Sequence, residues 1–186
     1  MSRPLLIIFI GPSCAGKTSI GQKVASEFNA PFLSKDSIKE IFFDHMGWTD
    51  RQYSLRVGNI SYPVLYYFAE LFMKNSSSMV VMDANFVPYY DTKKIKFLIR
   101  KYNVFPIQIS LKADGAVLCR RFQKRAFYKK RHPGHCESDM FEEIKPALLK
   151  GEKDVLKLGG EIIEIDTTNF KKVNYQNLYE EIRKYL

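Results

Sequence analysis

Residues 11–19, "GPSCAGKTS", follow directly on the apolar run "LLIIFI" of residues 5–10. Gly11, Gly16, Lys17 and Thr18 satisfy the pattern G-x-x-x-x-G-K-[ST], a Walker A phosphate loop placed after a strand and before a helix. A loop of this length curls its backbone N–H groups around a phosphate at the N-terminus of the following helix. A glycine-rich turn that binds nothing is the weaker alternative.

The residue types of this loop predict its ligands. Lys17 would contact the β- and γ-phosphates of ATP as a point charge, and Thr18 would coordinate the accompanying Mg²⁺. Cys14 is expected to face away from the nucleotide. The predicted nucleotide-binding residues of the loop are Gly11, Pro12, Ser13, Cys14, Ala15, Gly16, Lys17, Thr18 and Ser19.

Outward from the loop, short apolar runs alternate with longer segments of helical periodicity, which predicts an α/β fold. The predicted strands are 5–10, 32–33, 79–83, 105–111 and 161–166. All but the second are nearly wholly apolar, as in a parallel sheet covered on both faces. The predicted helices are 18–28, 38–74 with breaks near Gly47 and Pro63, 90–102 and 113–126. Capping boxes at Ser37 with Glu40 and at Thr49 with Gln52 predict two helix starts.

Length and composition limit the possibilities. The 186 residues, 46% of them hydrophobic, suit one domain spanning 1–186. Three widely spaced cysteines without a Cys-x-x-Cys pair argue against a disulfide framework or a zinc site. No apolar run reaches the length of a membrane span and no cleavage signal stands out, so we expect a cytoplasmic protein without a membrane partner. The net charge of +9 suits phosphate groups, nucleic acid or a membrane surface, and does not decide among them.

Two acidic residues follow predicted strands. Asp83 ends "MVVMD" beside the phosphate loop, where it could orient Mg²⁺ directly or through water. Its alternative role is to cap the following loop. Asp36, in "FLSKDSIKE", could accept the proton of a substrate hydroxyl. From spacing alone, a purely electrostatic role at the helix N-terminus is at least as good an explanation.

The segment "CRRFQKRAFYKKRHPGHCES", residues 119–138, contains seven Lys and Arg residues before its first acid, Glu137. Arg121 and Arg125 are four residues apart and share a helix face, and their guanidinium groups suit phosphoryl oxygens. Residues 127–135 resemble a mobile flap within a lid at 126–138 that could exclude water. A solvated basic helix end or an RNA-binding patch are the alternatives. His132 and His135 are interpreted as lid or capping residues.

Five motifs, "GPSCAGKT", "SKDSIKE", "VVMDANF", "CRRFQKR" and "RHPGH", together resemble the P-loop kinase family that includes phage polynucleotide kinase and, more distantly, zeta-toxin-type kinases. The resemblance covers about residues 5–170 and implies a five-stranded parallel sheet in the order 2-3-1-4-5. It implies these roles: phosphate and Mg²⁺ contacts for Lys17 and Thr18, general base for Asp36, metal or substrate orientation for Asp83 with Asn85, and lid arginines Arg121 and Arg125 on the ATP phosphates.

The function implied by the resemblance is transfer of the γ-phosphoryl group of ATP, with Mg²⁺, to a hydroxyl of a small-molecule or nucleotide-like acceptor. Lys39 stands where polynucleotide kinase has an arginine, so a nucleic-acid acceptor is not secured. The aromatic-rich segment 48–72, within a helical substrate lobe at 38–74, could line a pocket through Trp48, Tyr53 and Arg56, although such a stripe is more often core. The predicted acceptor-binding residues are Asp36, Lys39, Arg56, Asp83 and Asn85.

Two other functions stay open from the sequence. One is a 5′-hydroxyl polynucleotide kinase or nucleic-acid-binding ATPase, which the basic lid and the net charge favour. The other is a non-catalytic nucleotide-binding switch. The sequence predicts neither the acceptor nor the oligomeric state.

Overall fold

A computed structural model describes residues 3–75, 77–128 and 131–186, except for the side chain of Asp139. Within these ranges, five strands form one sheet: β1 (Leu5–Ile10), β2 (Phe32–Ser34), β3 (Met79–Asp83), β4 (Phe105–Lys112) and β5 (Glu161–Asp166). Neighbouring strands are parallel and follow the order β2-β3-β1-β4-β5, which confirms the order implied by the resemblance.

The alternation of side chains along the central strand builds the core. Leu5, Ile7 and Phe9 of β1 pack on one face, and the intervening residues 6, 8 and 10 pack on the other. In the part of the chain that the structure describes, seven α-helices flank the sheet: α1 (Lys17–Glu27), α2 (Lys35–Met46), α3 (Arg51–Lys74), α4 (Pro88–Tyr102), α5 (Gly115–Phe127), α6 (Phe141–Leu149) and α7 (Tyr175–Arg183). Apolar residues of α1, α5, α6 and α7 cover the first face, and those of α3 and α4 cover the second.

The edge strand β5 corrects one expectation. We predicted a strand covered on both faces, but residues 161, 163 and 165 are half-buried and residues 162, 164 and 166 are exposed. The strand pairs with β4 alone, so the helices cover only its inner face. Its three isoleucines made it resemble a central strand in the sequence.

The helix starts correct the predicted capping boxes. Ser34, not Ser37, caps α2, since its Oγ accepts a hydrogen bond from the Ser37 N–H at 3.3 Å. Asp50, not Thr49, caps α3 and accepts from the Tyr53 N–H at 2.8 Å. Both boxes were therefore misplaced, because residues that accept hydrogen bonds at a helix start are common on both sides of each true cap.

The predicted break near Gly47 is confirmed, whereas the one near Pro63 is wrong. Gly47 ends α2 at a positive φ of 77°. Helix α3 is 24 residues long and continues without a break through Pro63. Proline removes the hydrogen bond to the carbonyl four residues earlier, and that carbonyl belongs to the exposed Asn59, where solvent can satisfy it. Helices α6 and α7 lie where the sequence pattern predicted no helix.

The strand register sets the position of the functional residues. Ser34, Asp83 and Phe9 lie side by side across β2, β3 and β1, so the three strands end together. The segments that follow them, with Asp36 and the phosphate loop, therefore meet at the carboxyl edge of the sheet. None of the helices in the described ranges combines the length and apolar character needed to cross a membrane.

Candidate active site

The phosphate loop connects β1 to α1, and two of its glycines are required by close contacts. Gly11 and Gly16 have φ values of 147° and 92°, which favour glycine. A Cβ on Gly16 would lie 2.3 Å from the Phe170 ring, and one on Gly11 would lie 2.7 Å from the Leu111 carbonyl oxygen. Cys14 packs against the core cluster on the α1 side of the sheet. The loop thus has a fixed shape whose backbone surrounds the start of α1.

Lys17 lies across the loop. Its ammonium donates hydrogen bonds to the carbonyls of Gly11 at 2.8 Å and Pro12 at 2.9 Å. Burial lowers the pKa of Lys17, while the charges of Asp83 and Asp36 act in the opposite direction. The ammonium is therefore held by neutral carbonyls and poised to meet an anion, as a phosphate-binding lysine requires.

Thr18 and Asp83 join the loop to the end of β3. The Thr18 hydroxyl donates to Asp83 Oδ2 at 2.5 Å, and Asp83 is only 5% exposed. Burial raises the pKa of Asp83, against the charge of Lys17 and the Thr18 hydrogen bond. A hydroxyl and a carboxylate are the oxygen ligands that Mg²⁺ prefers, with phosphates and water completing its shell. The donor set fits Mg²⁺, and no cluster of three or more His, Cys, Asp or Glu side chains forms another metal site among the described residues.

Asp36 lies in the first turn of α2, close to two cations. Lys35 Nζ is 2.8 Å from its Oδ1, and the Arg131 guanidinium donates to its Oδ2. Burial raises the pKa of Asp36, but Arg131 and Lys35 outweigh this effect and hold the pKa well below its ordinary range. Asp36 is therefore ionised at neutral pH and can accept a hydrogen bond from a hydroxyl.

The two predicted lid arginines have different surroundings. Arg121 donates to the carbonyls of Thr167 at 2.7 Å and Thr168 at 3.1 Å, and its guanidinium lies 6.0 Å from the Phe170 ring centroid, beside the phosphate loop. Arg125 instead donates hydrogen bonds from Nε, at 3.0 Å, and from Nη2 to the two carboxylate oxygens of the buried Glu137. Arg131 donates to the same Glu137 at 2.7 Å. Glu137 is thus shared by two arginines.

The described part of the predicted lid is packed on α2. Gly134 and His135 are buried, and His132 stacks on Phe43 with 5.2 Å between ring centroids. His135 contacts Glu40 at 2.9 Å, and burial holds the pKa of His135 below its ordinary value. The motif "RHPGH" therefore anchors this segment, and motion of the lid stays a prediction. Lys129 and Lys130 of the basic segment lie outside the described residues.

A cavity of about 690 Å³ opens beside the phosphate loop at Ser13 and extends along α2, α3 and α4. Three predicted acceptor-binding residues, Asp36, Lys39 and Asn85, line it. Asp83 lies at the edge of the sheet behind Thr18 and is not part of the lining.

Arg56, Tyr53 and Trp48 do not line this cavity, which corrects the predicted aromatic pocket. Arg56 is exposed, with its guanidinium 6.0 Å from the Tyr53 ring centroid. Trp48 packs on His132 instead. Arg51 is the arginine of α3 that faces the cavity.

Sequence reasoning missed several residues of the site. Lys35, Arg51 and Tyr62 line the cavity. Lys153 donates to Asn85 Oδ1, and burial together with the charge of Lys17 lowers the pKa of Lys153 to about 8. Its coil, between α6 and β5, is fixed where Gln108 exchanges two hydrogen bonds with the Leu156 backbone at 2.9 and 2.7 Å. Nothing in the local sequence around Lys153 signals this position.

A parallel sheet in this order, with a phosphate loop between β1 and α1, defines the P-loop NTPase fold of the kinase type. Residues 6–147 match the family described as AAA domain (AAA_33), and the chain belongs to this family. No functionally curated protein matches the sequence. The narrower resemblance to phage polynucleotide kinase and zeta-toxin-type kinases stays a prediction.

Solved structures agree with this fold. A Chloroflexus aurantiacus protein assigned as a kinase is 34% identical, with 98% of each chain covered and a TM-score of 0.90. A protein designated APE1195 is 15% identical over 99% of this chain and 95% of its own, with a TM-score of 0.61. A Janibacter sugar kinase is 18% identical over 100% of this chain and 94% of its own, with a TM-score of 0.52. The last two share the fold alone.

Proposed function

We propose that this protein is an ATP- and Mg²⁺-dependent kinase that transfers the γ-phosphoryl group to a hydroxyl of a small-molecule or nucleotide-like acceptor. One observation carries the proposal: Ser13 of the phosphate loop and the ionised carboxylate of Asp36 line the same cavity. A cavity with a phosphate loop at one end and a hydroxyl-binding carboxylate beside it suits transfer to a second substrate better than hydrolysis.

The proposed role of each residue follows from its position in the site. The loop N–H groups and Lys17 bind the phosphates, and Thr18 with Asp83 holds the metal. Mg²⁺, when bound, neutralises charge on the β- and γ-phosphate oxygens. Asp36 accepts a hydrogen bond from the acceptor hydroxyl and orients its oxygen. Because its pKa is low, Asp36 is a weak base, so orientation is the larger part of its contribution.

The arginines would stabilise charge that develops during transfer. Arg121 already lies beside the phosphate loop, through its contact with the Cys14 carbonyl at 3.5 Å. Arg125 requires release from Glu137 before it can bind phosphate. Packing of residues 131–138 on α2 helps to keep water from the acceptor cavity.

A second candidate is a polynucleotide 5′-hydroxyl kinase. The observation that favours it is a groove along α4, the helix that also contributes residues to the acceptor cavity. The groove is lined by four cations and two aromatic rings: Lys93, Lys96, Arg100, Lys101, Tyr89 and Phe97. Basic residues interleaved with aromatic rings suit single-stranded nucleic acid. Binding through this groove would weaken steeply as salt is raised.

The first test is an acceptor screen with matched variants. ADP release is measured against polyols, hydroxy acids, nucleosides and 5′-hydroxyl oligonucleotides. We expect Lys17→Ala to abolish turnover without loss of fold, because its ammonium contacts only the loop's own carbonyls. Asp36→Asn should slow single-turnover transfer by about 10²- to 10⁴-fold while ATP binding, measured by calorimetry, persists.

Two outcomes would contradict the kinase proposal. A folded Lys17→Ala protein with wild-type turnover would show that the loop does not bind the reacting phosphates. ATP binding without acceptor-stimulated turnover across the whole panel would indicate the nucleotide switch instead.

A further inference from the structure

Lys39 is a buried ammonium on the wall of the acceptor cavity. The residue is only 5% exposed, and its Nζ donates to Ser54 Oγ at 2.7 Å and lies 5.2 Å from the Phe43 ring centroid. No described carboxylate lies within ion-pair distance of Nζ. Asp36, whose charge acts on Lys39, already forms ion pairs with Lys35 and Arg131. A buried charge without a counter-charge is costly unless a ligand supplies one.

Positive charges also outnumber negative charges in the lining of the acceptor cavity. Of the described residues, five cationic side chains line it, namely Lys35, Lys39, Arg51, Lys94 and Arg131, against the carboxylates of Asp36 and Asp91. The Asp91 carboxylate already accepts hydrogen bonds from the Tyr66 hydroxyl at 2.7 Å and from the Val87 N–H at 2.6 Å. Arg51 forms an ion pair at 2.9 Å with Glu143, which does not line the cavity. Among the described residues that line the cavity, Lys39 is thus the buried cation left to meet a ligand.

Burial and the neighbouring charges act together on Lys39. Burial and the charges of Lys35, Arg131 and Arg51 lower the pKa of Lys39 to about 8, although Asp36 acts to raise it. His135 also lies near Lys39, but its pKa is lowered, so its side chain is neutral at neutral pH. Lys39 is therefore mostly charged at neutral pH but under repulsion that an anion would relieve.

We propose that the acceptor carries an anionic group, a carboxylate or a phosphate, that pairs with Lys39 while its hydroxyl meets Asp36. The two residues are three apart on α2 and so lie on one helix face, within about 5–6 Å between Cβ atoms, which suits a small molecule. The orientation of the hydroxyl rests on the proposed function, whereas the anion site does not. In the transfer, the acceptor oxygen bonds to the γ-phosphorus, the bond to the bridging oxygen breaks, ADP leaves with the electron pair, and the hydroxyl proton passes through Asp36 to solvent.

Matched acceptors test the inference by turnover. Glycerate and glycerol phosphate are compared with glycerol, and gluconate with glucose, so that each pair differs by the anionic group. We expect the anionic members to have kcat/KM about 10²-fold higher or more, because a buried polar group is left unpaired by the neutral ones. Lys39→Met should raise KM for the anionic acceptors with kcat nearly unchanged, since Lys39 contacts the group remote from the reaction. Lys74→Met, an exposed charge on α3, is the control for net charge.

The pH dependence provides a signature that lost packing would not produce. KM for an anionic acceptor should be flat below a pH of about 8 and rise above it, because the neutral amine no longer pairs with the anion. Lys39→Arg should keep KM flat to higher pH, since arginine stays protonated. A pH profile shared by wild type and Lys39→Arg would overturn the proposal.

Binding without turnover separates this inference from the kinase proposal. The pKa of Lys39 is measured by NMR of labelled lysine, assigned with Lys39→Arg, with and without inorganic phosphate or glycerate and without ATP. We expect the pKa to rise above about 8 when anion is added. An unchanged pKa at saturating anion, or turnover of anionic acceptors that is insensitive to Lys39→Met, would overturn the anion site. Anion binding at Lys39 without any turnover would sustain it while overturning the kinase.

Discussion

Asp36 and Asp83 show how two carboxylates at one sheet edge acquire different properties. Asp83 is buried and Asp36 is half-buried, and burial raises the pKa of each. The cations Lys35 and Arg131 reverse this effect at Asp36, whereas Lys17 and the Thr18 hydroxyl do not do so at Asp83. One carboxylate is thereby suited to binding a hydroxyl, and the other to neutralisation by a metal.

Asp83→Asn tests the metal role. Asparagine preserves the shape and can still accept the Thr18 hydrogen bond, so the fold should persist. The lost charge should weaken Mg²⁺ affinity by about 10- to 100-fold or more. Magnesium titrations of turnover and of ATP affinity would measure the effect. Unaltered Mg²⁺ dependence would restrict Asp83 to a capping role.

Asp36→Asn should also lower the pKa of Lys39. The charge of Asp36 raises that pKa, while Lys35 and Arg131 lower it, so removing the carboxylate leaves Lys39 among cations alone. We expect a value below about 8 by NMR. A pKa that stays the same or rises would mean that the charges of this cavity are not coupled as the contacts indicate.

At the scale of elements, the contact between α2 and the "RHPGH" segment depends on the absence of a side chain at residue 134. A Cβ on Gly134 would lie 2.6 Å from the rigid Phe43 ring. We expect Gly134→Ala to destabilise the fold by about 1–3 kcal/mol through overpacking and to release the segment. Thermal unfolding and limited proteolysis of residues 126–138 would measure both effects.

Gly58→Ala is the matched control. Gly58 also lacks a positive φ, and its Cβ would have ordinary contacts of 3.7 Å with Lys39. Inside α3, alanine should stabilise the helix by roughly 0.5–1 kcal/mol. Equal stability changes in the two variants would contradict the role assigned to Gly134.

At the scale of the whole molecule, ligand binding should raise thermal stability. ATP with Mg²⁺ at about 100 times its Kd adds roughly 2.7 kcal/mol, if the unfolded chain does not bind. For a domain of this size that corresponds to an increase in Tm of about 5–10 °C. Lys17→Ala should largely abolish the increase. Scanning fluorimetry would measure it, and a wild-type Tm that ATP does not change would argue against a nucleotide site.

The parts of this molecule that the sequence predicts are those set by local patterns. The phosphate loop is contiguous, and Asp83 and Asp36 follow strands whose ends must meet in a parallel sheet. The sequence predicts Arg56 and not Arg51 as a cavity residue, because the pattern misplaces the start of α3 and does not show which face of α3 is buried. Five residues on an α-helix, at about 100° each, put these two arginines about 140° apart. Lys153 and the Arg131–Asp36 pair join segments distant in sequence, which no local pattern encodes.

Glu137 binds Arg125, from the nucleotide side, and Arg131, which in turn holds Asp36 on the acceptor side. One carboxylate therefore links the arginine proposed to bind nucleotide to the arginine that holds Asp36. A phosphate that took Arg125 from Glu137 would leave that carboxylate to Arg131 alone and weaken the hold of Arg131 on Asp36. If the protein is a kinase as proposed, this predicts an order of events: Asp36 becomes freer to bind the acceptor hydroxyl once the nucleotide has bound, so the acceptor enters second.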